Sequence, residues 1–109
     1  MNSGIEELII RIQADEQMLA EGCVHLKEIQ QVTPSSTEGC GACLALGVDT
    51  WIRLRICLTC GYIGCCDNSR YQHARKHYNE TGHPMILSFE PNELWMYCFA
   101  DDEIYIAPE

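Results

Sequence analysis

Cysteine and histidine side chains are concentrated in the middle of this 109-residue sequence, at spacings suited to metal binding. The run CLTCGYIGCCDNSRYQHARKHYNETGH, residues 57–83, contains four cysteines and three histidines. Cys57 and Cys60 form a C-x-x-C pair, and His73 and His77 are spaced to share one face of a helix. Thiolate and imidazole groups in this pattern are the usual ligands of tetrahedral Zn²⁺. We therefore predict a small domain that is stabilised by zinc.

A second C-x-x-C pair, Cys40 and Cys43, lies upstream in the segment CGAC, which we interpret as the turn of a zinc knuckle. Cys65, Cys66 and His83 bring the local candidates to nine, enough for two closed sites of four ligands with one to spare. Because Cys65 and Cys66 are adjacent, we expect one to bind metal and the other to pack as a small apolar side chain. Spacing alone leaves open whether the pairs bind sequentially or in an interleaved order.

Composition restricts the classes of function. The net charge is −9, from seven Lys and Arg against sixteen Asp and Glu, which argues against nucleic acid and favours a protein or peptide partner. The acidic start MNSGIEELII is unlike a secretory signal, and no apolar run has the length of a membrane span. We therefore expect a cytoplasmic, reducing location, where clustered cysteines hold metal; four disulfides would leave the paired histidines unexplained.

The N-terminal segment has the periodicity of an amphipathic helix. Apolar side chains recur at three- and four-residue spacings over residues 4–22, with Asn2 or Ser3 as a candidate cap and Gly22 as a candidate end. We predict that this helix packs on the zinc core, with a dimerisation or partner helix as the alternative. The predicted organisation is an N-terminal helix, residues 1–22, followed by a zinc-binding domain, residues 23–109.

The segment rich in cysteine and histidine should form a small sheet and one helix. Residues 51–57 alternate, with Ile52, Leu54 and Ile56 on a buried face, and with Trp51, Arg53 and Arg55 on the other; we interpret the arginines mainly as solvated. Further strands are predicted at 62–63, 85–89, 94–99 and 103–106. A helix over 69–79, capped at 67–69 and ended by 81–82, presents the paired histidines. The predicted fold is α+β: a twisted antiparallel sheet crossed by this helix, with the N-terminal helix added.

The order of these segments resembles a known domain. CLTCGYIGC, then H-x-x-x-H, ETGHP and W-x-Y resemble the UBP-type zinc finger, a ubiquitin-binding domain of ubiquitin-specific proteases and of one histone deacetylase. The resemblance covers about residues 23–103, and GCCDNS and SFEPNE are similar to short bacterial members. It implies an interleaved pairing of two zinc sites: Cys40, Cys43, Cys65 and His73 in the first, and Cys57, Cys60, His77 and His83 in the second.

The resemblance also raises the question of a third zinc. Cys23 and His25 match the C-x-H that begins the third site in the fullest members. Met96 and Phe99 stand where those members have a C-x-x-C, so half of the motif is absent. Cys98 could substitute, with Asp101 or Asp102 completing the set. The alternative is that Cys23 and Cys98 are merely buried.

A pocket beside the first zinc is the family's ligand site. There the resemblance implies binding of the free carboxyl-terminal Gly-Gly of ubiquitin between aromatic walls, which Trp51, Trp95 and Tyr97 match. Filling of a thin core is the alternative role for the tryptophans. The family's C-G-R arginine, which grips the tail, is replaced here by Asp67, which would repel a carboxylate. Candidates to take over its role are Arg70, Arg53 and Arg55.

We therefore predict a non-catalytic recognition module that binds Zn²⁺ and a ubiquitin-like protein or peptide tail. The main alternative is a metal-stabilised structural or regulatory subunit that contacts other chains through its N-terminal helix. A thiol enzyme or redox protein using Cys66 is less favoured. The adjacent Asp67 should raise the pKa of that thiol, and no histidine is left to act as its base.

Overall fold

A computed structural model of the chain describes residues 2–36, 38–90 and 93–106, with the side chains of the first helix described from Glu7 onward. Five antiparallel strands form one sheet in the order β2-β1-β3-β4-β5. The strands are β1 (Leu54–Cys57), β2 (Ile63–Cys65), β3 (Met85–Ser88), β4 (Trp95–Cys98) and β5 (Glu103–Ile106). The helices are α1 (Asn2–Ala14), α2 (Glu16–Glu21), α3 (Gly41–Ala45) and α4 (His73–Thr81), with a 3₁₀ turn at Val24–Glu28. This arrangement confirms the predicted α+β fold.

The two faces of the sheet have different roles. Because Ile56 pairs with Leu87 and Leu87 with Met96, these side chains share one face, and all three are fully buried. The opposite face carries Tyr97, which pairs with both Ile86 and Ile104. The first face forms the main hydrophobic core, whereas the second faces α4 and a cavity.

The N-terminal segment packs on the core face, but as two helices rather than one. Ile9 and Ile12 of α1 are fully buried in the same cluster as the sheet residues, as the packing interpretation expects. The chain breaks at Asp15, whose carboxylate accepts a hydrogen bond from the Met18 backbone N–H at 3.0 Å and caps α2. Gly22 ends α2 as predicted. Helix α1 begins at Asn2, and its predicted side-chain cap lies outside the described side chains.

Two predicted boundaries were wrong. The first strand begins at Leu54 rather than Trp51, and Ile52, predicted to be buried, is 54% exposed. Helix α4 begins at His73 rather than Ser69, because the preceding residues form turns: Ser69 accepts a hydrogen bond from the Ile52 N–H at 2.8 Å, and Gln72 is left-handed. The Ser69 backbone N–H donates to the Cys66 carbonyl at 2.9 Å, which closes a turn where a first helical turn was predicted. Gly82 ends α4 in the left-handed conformation, as predicted.

Helix α4 lies unusually close to strand β2. A Cβ atom on Gly64 would be 2.6 Å from the backbone nitrogen of Ala74, so only glycine permits this approach. The contact brings the start of α4 to the end of β2, where the His73 backbone N–H donates to the Cys65 sulfur at 3.2 Å. In the described part of the chain, no helix combines the length and apolarity needed to cross a membrane.

The burial of α1 can be tested with two neighbouring isoleucines. We expect Ile9→Ala to lower the free energy of unfolding by about 2–4 kcal/mol, because the substitution leaves a cavity in the core. Ile10 is 58% exposed, so Ile10→Ala should change it by no more than about 0.5 kcal/mol. Denaturant unfolding of the zinc-loaded proteins measures both values. Equal losses would show that α1 does not pack as described.

Candidate metal centres and the cavity beside them

The structure brings the four residues of the predicted first site together from three segments. Cys40 precedes α3, Cys43 lies within it, Cys65 ends β2 and His73 begins α4. Their ligand atoms all lie within 4.8 Å of one another. The three cysteines are buried, which leaves their sulfur atoms facing the histidine rather than solvent.

The spacing of these atoms fits a tetrahedral ion. Bonds of about 2.3 Å to sulfur and about 2.0 Å to nitrogen place two sulfurs about 3.8 Å apart, and a sulfur and a nitrogen about 3.5 Å apart. The Cys43 and Cys65 sulfurs are 3.8 Å apart. The His73 Nδ1 atom lies 3.3, 3.3 and 3.5 Å from the sulfurs of Cys40, Cys43 and Cys65. We interpret these distances as the edges of a coordination tetrahedron.

The protonation chemistry of this cluster favours a cation. Burial and, after it, the neighbouring sulfurs of Cys40 and Cys65 together raise the pKa of the Cys43 thiol to about 12. Burial and then the charge of Lys76 lower the pKa of His73, which keeps its imidazole neutral and able to bind metal. Zinc would therefore displace thiol protons and supply the positive charge that the buried sulfurs lack.

A second cluster lies at the turn between β1 and β2. Cys57 ends β1, Cys60 lies in the turn, His77 belongs to α4 and His83 follows that helix. The Cys57 sulfur is 3.6 Å from Nδ1 of His83, and the Cys60 sulfur is 3.3 Å from Nε2 of His77. The ring of Tyr62 stacks on His77 with centroids 4.3 Å apart, which fixes the plane of the imidazole. The donor set and its distances again fit zinc.

Four further residues form a third cluster. Cys23 and His25 at the 3₁₀ turn meet Cys98 at the end of β4 and Asp101 in the following turn, with all ligand atoms within 4.8 Å. Nδ1 of His25 lies 3.5 Å from the Cys98 sulfur and 3.0 Å from the Asp101 carboxylate. Asp101, rather than Asp102, is thus the acidic residue brought to the sulfurs. The arrangement can bind a metal, although its carboxylate is 39% exposed.

A cavity of about 270 Å³ opens beside α4 on the second face of the sheet. Trp95 and Tyr97, two of the predicted ligand-binding residues, line it, and Phe99 adds a third aromatic ring. The rings of Tyr97 and Phe99 are perpendicular, with centroids 5.1 Å apart. The remaining lining residues are Arg55, Cys66, Asp67, Asn68, Ala74, Arg75, Ile86 and Ile104.

Trp51 has a different environment from the other two predicted aromatic residues. It does not line this cavity but packs against the buried sulfurs of the first cluster, together with Tyr71 and Val48. Its ring also lies against Gly39, where a Cβ atom would be 2.1 Å away. This placement corresponds to the core-filling interpretation and does not join Trp51 to Trp95 and Tyr97.

Two arginines supply positive charge to the cavity. The Arg55 guanidinium lies over the Trp95 ring at 4.4 Å, and its side chain is only 11% exposed, so the interpretation of Arg55 as solvated was wrong. The interpretation holds for Arg53, which is 52% exposed. Arg75, the second cation, was not predicted from the sequence. It extends from α4 over Phe99 at 4.8 Å, a contact that depends on how the helix lies on the sheet.

Asp67 and Cys66 also behave differently from expectation. The Asp67 carboxylate is bound by Arg75 and does not control the neighbouring thiol. Burial acts to raise the pKa of Cys66, but hydrogen bonds with the Ser69 hydroxyl and the Asn68 backbone, together with the charge of Arg55, lower it overall. The prediction of a raised pKa was therefore wrong. The thiol is only 4% exposed, consistent with the packing role expected for one of the two adjacent cysteines.

Comparison with known proteins gives the class of this domain. Residues 40–109, more than half of the chain, match the family described as "Zn-finger in ubiquitin-hydrolases and other protein". The chain belongs to this zinc-finger family, and the three cysteine- and histidine-rich clusters agree with zinc binding.

Individual relatives come from large eukaryotic proteins. Histone deacetylase 6 of Caenorhabditis elegans is 34% identical over 69% of this chain. BRCA1-associated protein of Homo sapiens is 39% identical over 60%, and ubiquitin carboxyl-terminal hydrolase 44 of Danio rerio is 41% identical over 43%. The chain covers only 8%, 10% and 6% of the lengths of these relatives, respectively.

A bacterial protein of similar size shares the fold. The solution NMR structure of protein RPA1320 from Rhodopseudomonas palustris is 45% identical and superimposes with a TM-score of 0.72. The match covers 79% of this chain and 82% of that one.

The roles of the buried cysteines can be separated by two matched substitutions. Cys43→Ser replaces a sulfur of the first cluster and should reduce bound zinc by about one equivalent, because a neutral hydroxyl is a poor zinc ligand. Cys66→Ser removes a buried sulfur outside the clusters and should leave the zinc content unchanged. Elemental analysis of the reduced, purified proteins gives both results. An equal loss of zinc in both variants would contradict this assignment.

Proposed function

We propose that this zinc finger is a recognition module that binds the free carboxyl terminus of a protein, with a ubiquitin-like tail as the candidate partner. The supporting observation is the cavity beside α4, where three aromatic side chains and two arginines meet. Membership of the family adds weight, because its description and one relative's name refer to ubiquitin hydrolases.

The cavity has the size and lining of a site for a small, flat peptide end. Its volume of about 270 Å³ is just below the usual range of ligand pockets and suits one or two small residues such as glycine. Trp95, Tyr97 and Phe99 offer apolar walls that exclude bulk water. In such surroundings a charge-assisted contact to a carboxylate is stronger than on an open surface.

Arg55 is the cation that we assign to the tail carboxylate. We assign to Arg55 the role of the family's tail-binding arginine, whose position in this sequence is occupied by Asp67. Its nearest carboxylate, on Glu93, is 3.6 Å away, outside ordinary hydrogen-bond distance. The stacking of its guanidinium on Trp95 orders the side chain before a ligand arrives.

We further propose that three zinc ions bind, one at each cluster. The first two join α4 to the sheet and to the knuckle at residues 40–43. The third ties the 3₁₀ turn at Val24–Glu28 to the turn after β4, with Cys23, His25, Cys98 and Asp101 as its ligands. Each cluster offers four protein ligands, which would leave no open position for the water that hydrolytic zinc requires, so we propose structural zinc and no enzymatic activity.

Other expectations from the sequence remain predictions. They are the division at residue 22, the cytoplasmic location, and oligomerisation through the N-terminal helices. A structural or regulatory subunit that binds no tail is the competing function. It predicts that the aromatic residues of the cavity serve packing alone.

Tail binding can be tested by calorimetric titration with ubiquitin and with peptides that end in Gly-Gly, as free acids and as amides. The zinc-loaded protein should bind the free acids and lose most affinity for the amides, because only the acids carry the charge that pairs with Arg55. Arg55→Gln should weaken binding at least about tenfold, whereas Arg53→Gln, on an exposed neighbour, should change it less than about twofold.

No binding of any free-acid ligand at millimolar concentration would contradict tail recognition. An equal loss in the two arginine variants would exclude Arg55 as the carboxylate contact. Zinc content, measured on each variant, shows whether the domain is still loaded with metal.

The third ion should be the first to leave. Its set includes a carboxylate that is 39% exposed, a weaker ligand for Zn²⁺ than the thiolate and imidazole groups that make up the other two clusters, so a chelator should remove about one equivalent faster than the others. Asp101→Asn should accelerate this phase, and Asp102→Asn, one residue away, should not. Stopped-flow release of zinc to a coloured chelator resolves the phases. A total of only two ions in the reduced wild-type protein would contradict the third site.

A further inference from the structure

Asp67 and Arg75 form the most complete ion pair in the cavity. The Arg75 Nε atom donates to the two Asp67 carboxylate oxygens at 3.0 and 2.9 Å, and Nη2 donates to Oδ2 at 2.6 Å. Both residues line the cavity. The guanidinium thus uses one edge of its fork on a carboxylate that belongs to the same chain.

This contact has the geometry that an incoming carboxylate would need. A peptide's terminal carboxylate is planar and carries two equivalent oxygens, as the Asp67 side chain does, and it would be recognised by the same edge of a guanidinium. Only one carboxylate can occupy that edge at a time. Asp67 and a bound tail therefore compete for Arg75 if both are present in the cavity.

The pair is able to open without disturbing the fold. The Arg75 and Asp67 side chains are 38% and 46% exposed, so solvent can take over their hydrogen bonds when they separate. Contacts that do not involve the ion pair hold both residues in place. Phe99 lies under the Arg75 guanidinium at 4.8 Å, and the Gln72 side chain donates to the Asp67 backbone carbonyl at 2.9 Å.

The covered aromatic faces indicate that the competing ligand is an anion. Arg55 lies over Trp95 and Arg75 lies over Phe99, so positive groups of the chain already cover the two ring faces that would attract a cation. A positively charged ligand would meet these arginines, whereas a carboxylate would be attracted by them. The cavity is thus suited to a negatively charged ligand, but the Asp67 carboxylate already occupies one of its two arginines.

We propose that Asp67 is a specificity-determining residue that withholds Arg75 from the ligand, so that the native cavity binds a tail carboxylate through Arg55 alone. This proposal rests on tail binding as the function of the cavity. Removal of the Asp67 charge releases Arg75 as a second cation. The natural partner is accordingly held with moderate affinity, and anions that need two arginines are excluded.

Titration of zinc-loaded Asp67→Asn with Gly-Gly peptides tests this proposal. The free acid should bind about tenfold more tightly than to wild type, the size expected for one added charge-assisted contact, and the amide should bind no better. Asp49→Asn removes the same charge from an exposed position that does not line the cavity and should match wild type. Asp67→Ser provides a second variant in case asparagine continues to bind Arg75.

The double variant Asp67→Asn with Arg75→Gln identifies the cation responsible. It should lose the gain and return to within about twofold of the wild-type affinity. If it keeps the gain, Arg75 is not the released group and the proposal fails. The zinc content and the unfolding midpoint of each variant show whether it is folded and loaded with metal like the wild-type protein.

The outcomes separate this proposal from tail binding itself. Wild-type binding without a gain in either Asp67 variant overturns the role of Asp67 and leaves tail recognition intact. Binding by the Asp67 variants but not by wild type overturns tail binding by the native cavity through Arg55, and with it the proposal as stated. Absence of free-acid binding in every protein overturns both proposals.

Discussion

Helix α4 is held in place by the ligands that it provides. It is nine residues long, too short to be stable alone in water, and it supplies one histidine to each of two cysteine clusters. Coordination of His73 and His77 would connect it to α3, to the end of β2 and to the β1–β2 turn. Structural zinc contributes roughly 10–16 kcal/mol per site in comparable small domains, comparable to or larger than the whole stability of an ordinary domain of this size. The cavity and the position of Arg75 beside it depend on this helix staying where it is.

The two faces of the sheet have different roles: one forms the hydrophobic core, and the other lines the cavity. Alternation places Ile56, Leu87 and Met96 toward α1, where they form an ordinary apolar core, and places Trp95 and Tyr97 toward α4. Because α4 covers only part of this second face, the aromatic side chains beyond it remain accessible. The cavity is thus the space that a short helix leaves on a five-stranded sheet, and its walls are fixed by the same contacts that stabilise the fold.

Residues with strong local chemistry could be predicted from the sequence. The eight cysteine and histidine positions of the first two clusters follow from their spacing and the family resemblance, and the structure brings them together in the interleaved order. Strands β3, β4 and β5 follow from runs of apolar and aromatic residues.

Boundaries set by side-chain hydrogen bonds could not be predicted, as at Asp15 and at Ser69 and Gln72 before α4. Nor could Arg75, because its place in the cavity depends on the angle at which α4 crosses the sheet. Trp51 and Arg55 could not be placed from the sequence either. Alternation puts both on the same side of a strand, but in the tertiary fold Arg55 lines the cavity and Trp51 packs on the first cysteine cluster.

The sharing of one helix by two metal sites has a thermodynamic consequence. An ion bound to His73 would order the first turns of α4, and that ordering would bring His77 to the second cluster, so that less conformational entropy remains to be lost there. With zinc at both clusters the two sites would therefore be coupled, and by reciprocity each would raise the affinity of the other. Metal uptake should be cooperative across this pair, so that half-loaded molecules are scarce at equilibrium. Arg75 lies between the two histidines in the sequence of α4, so the part of the cavity wall that it forms would be assembled or dismantled together with the metal pair.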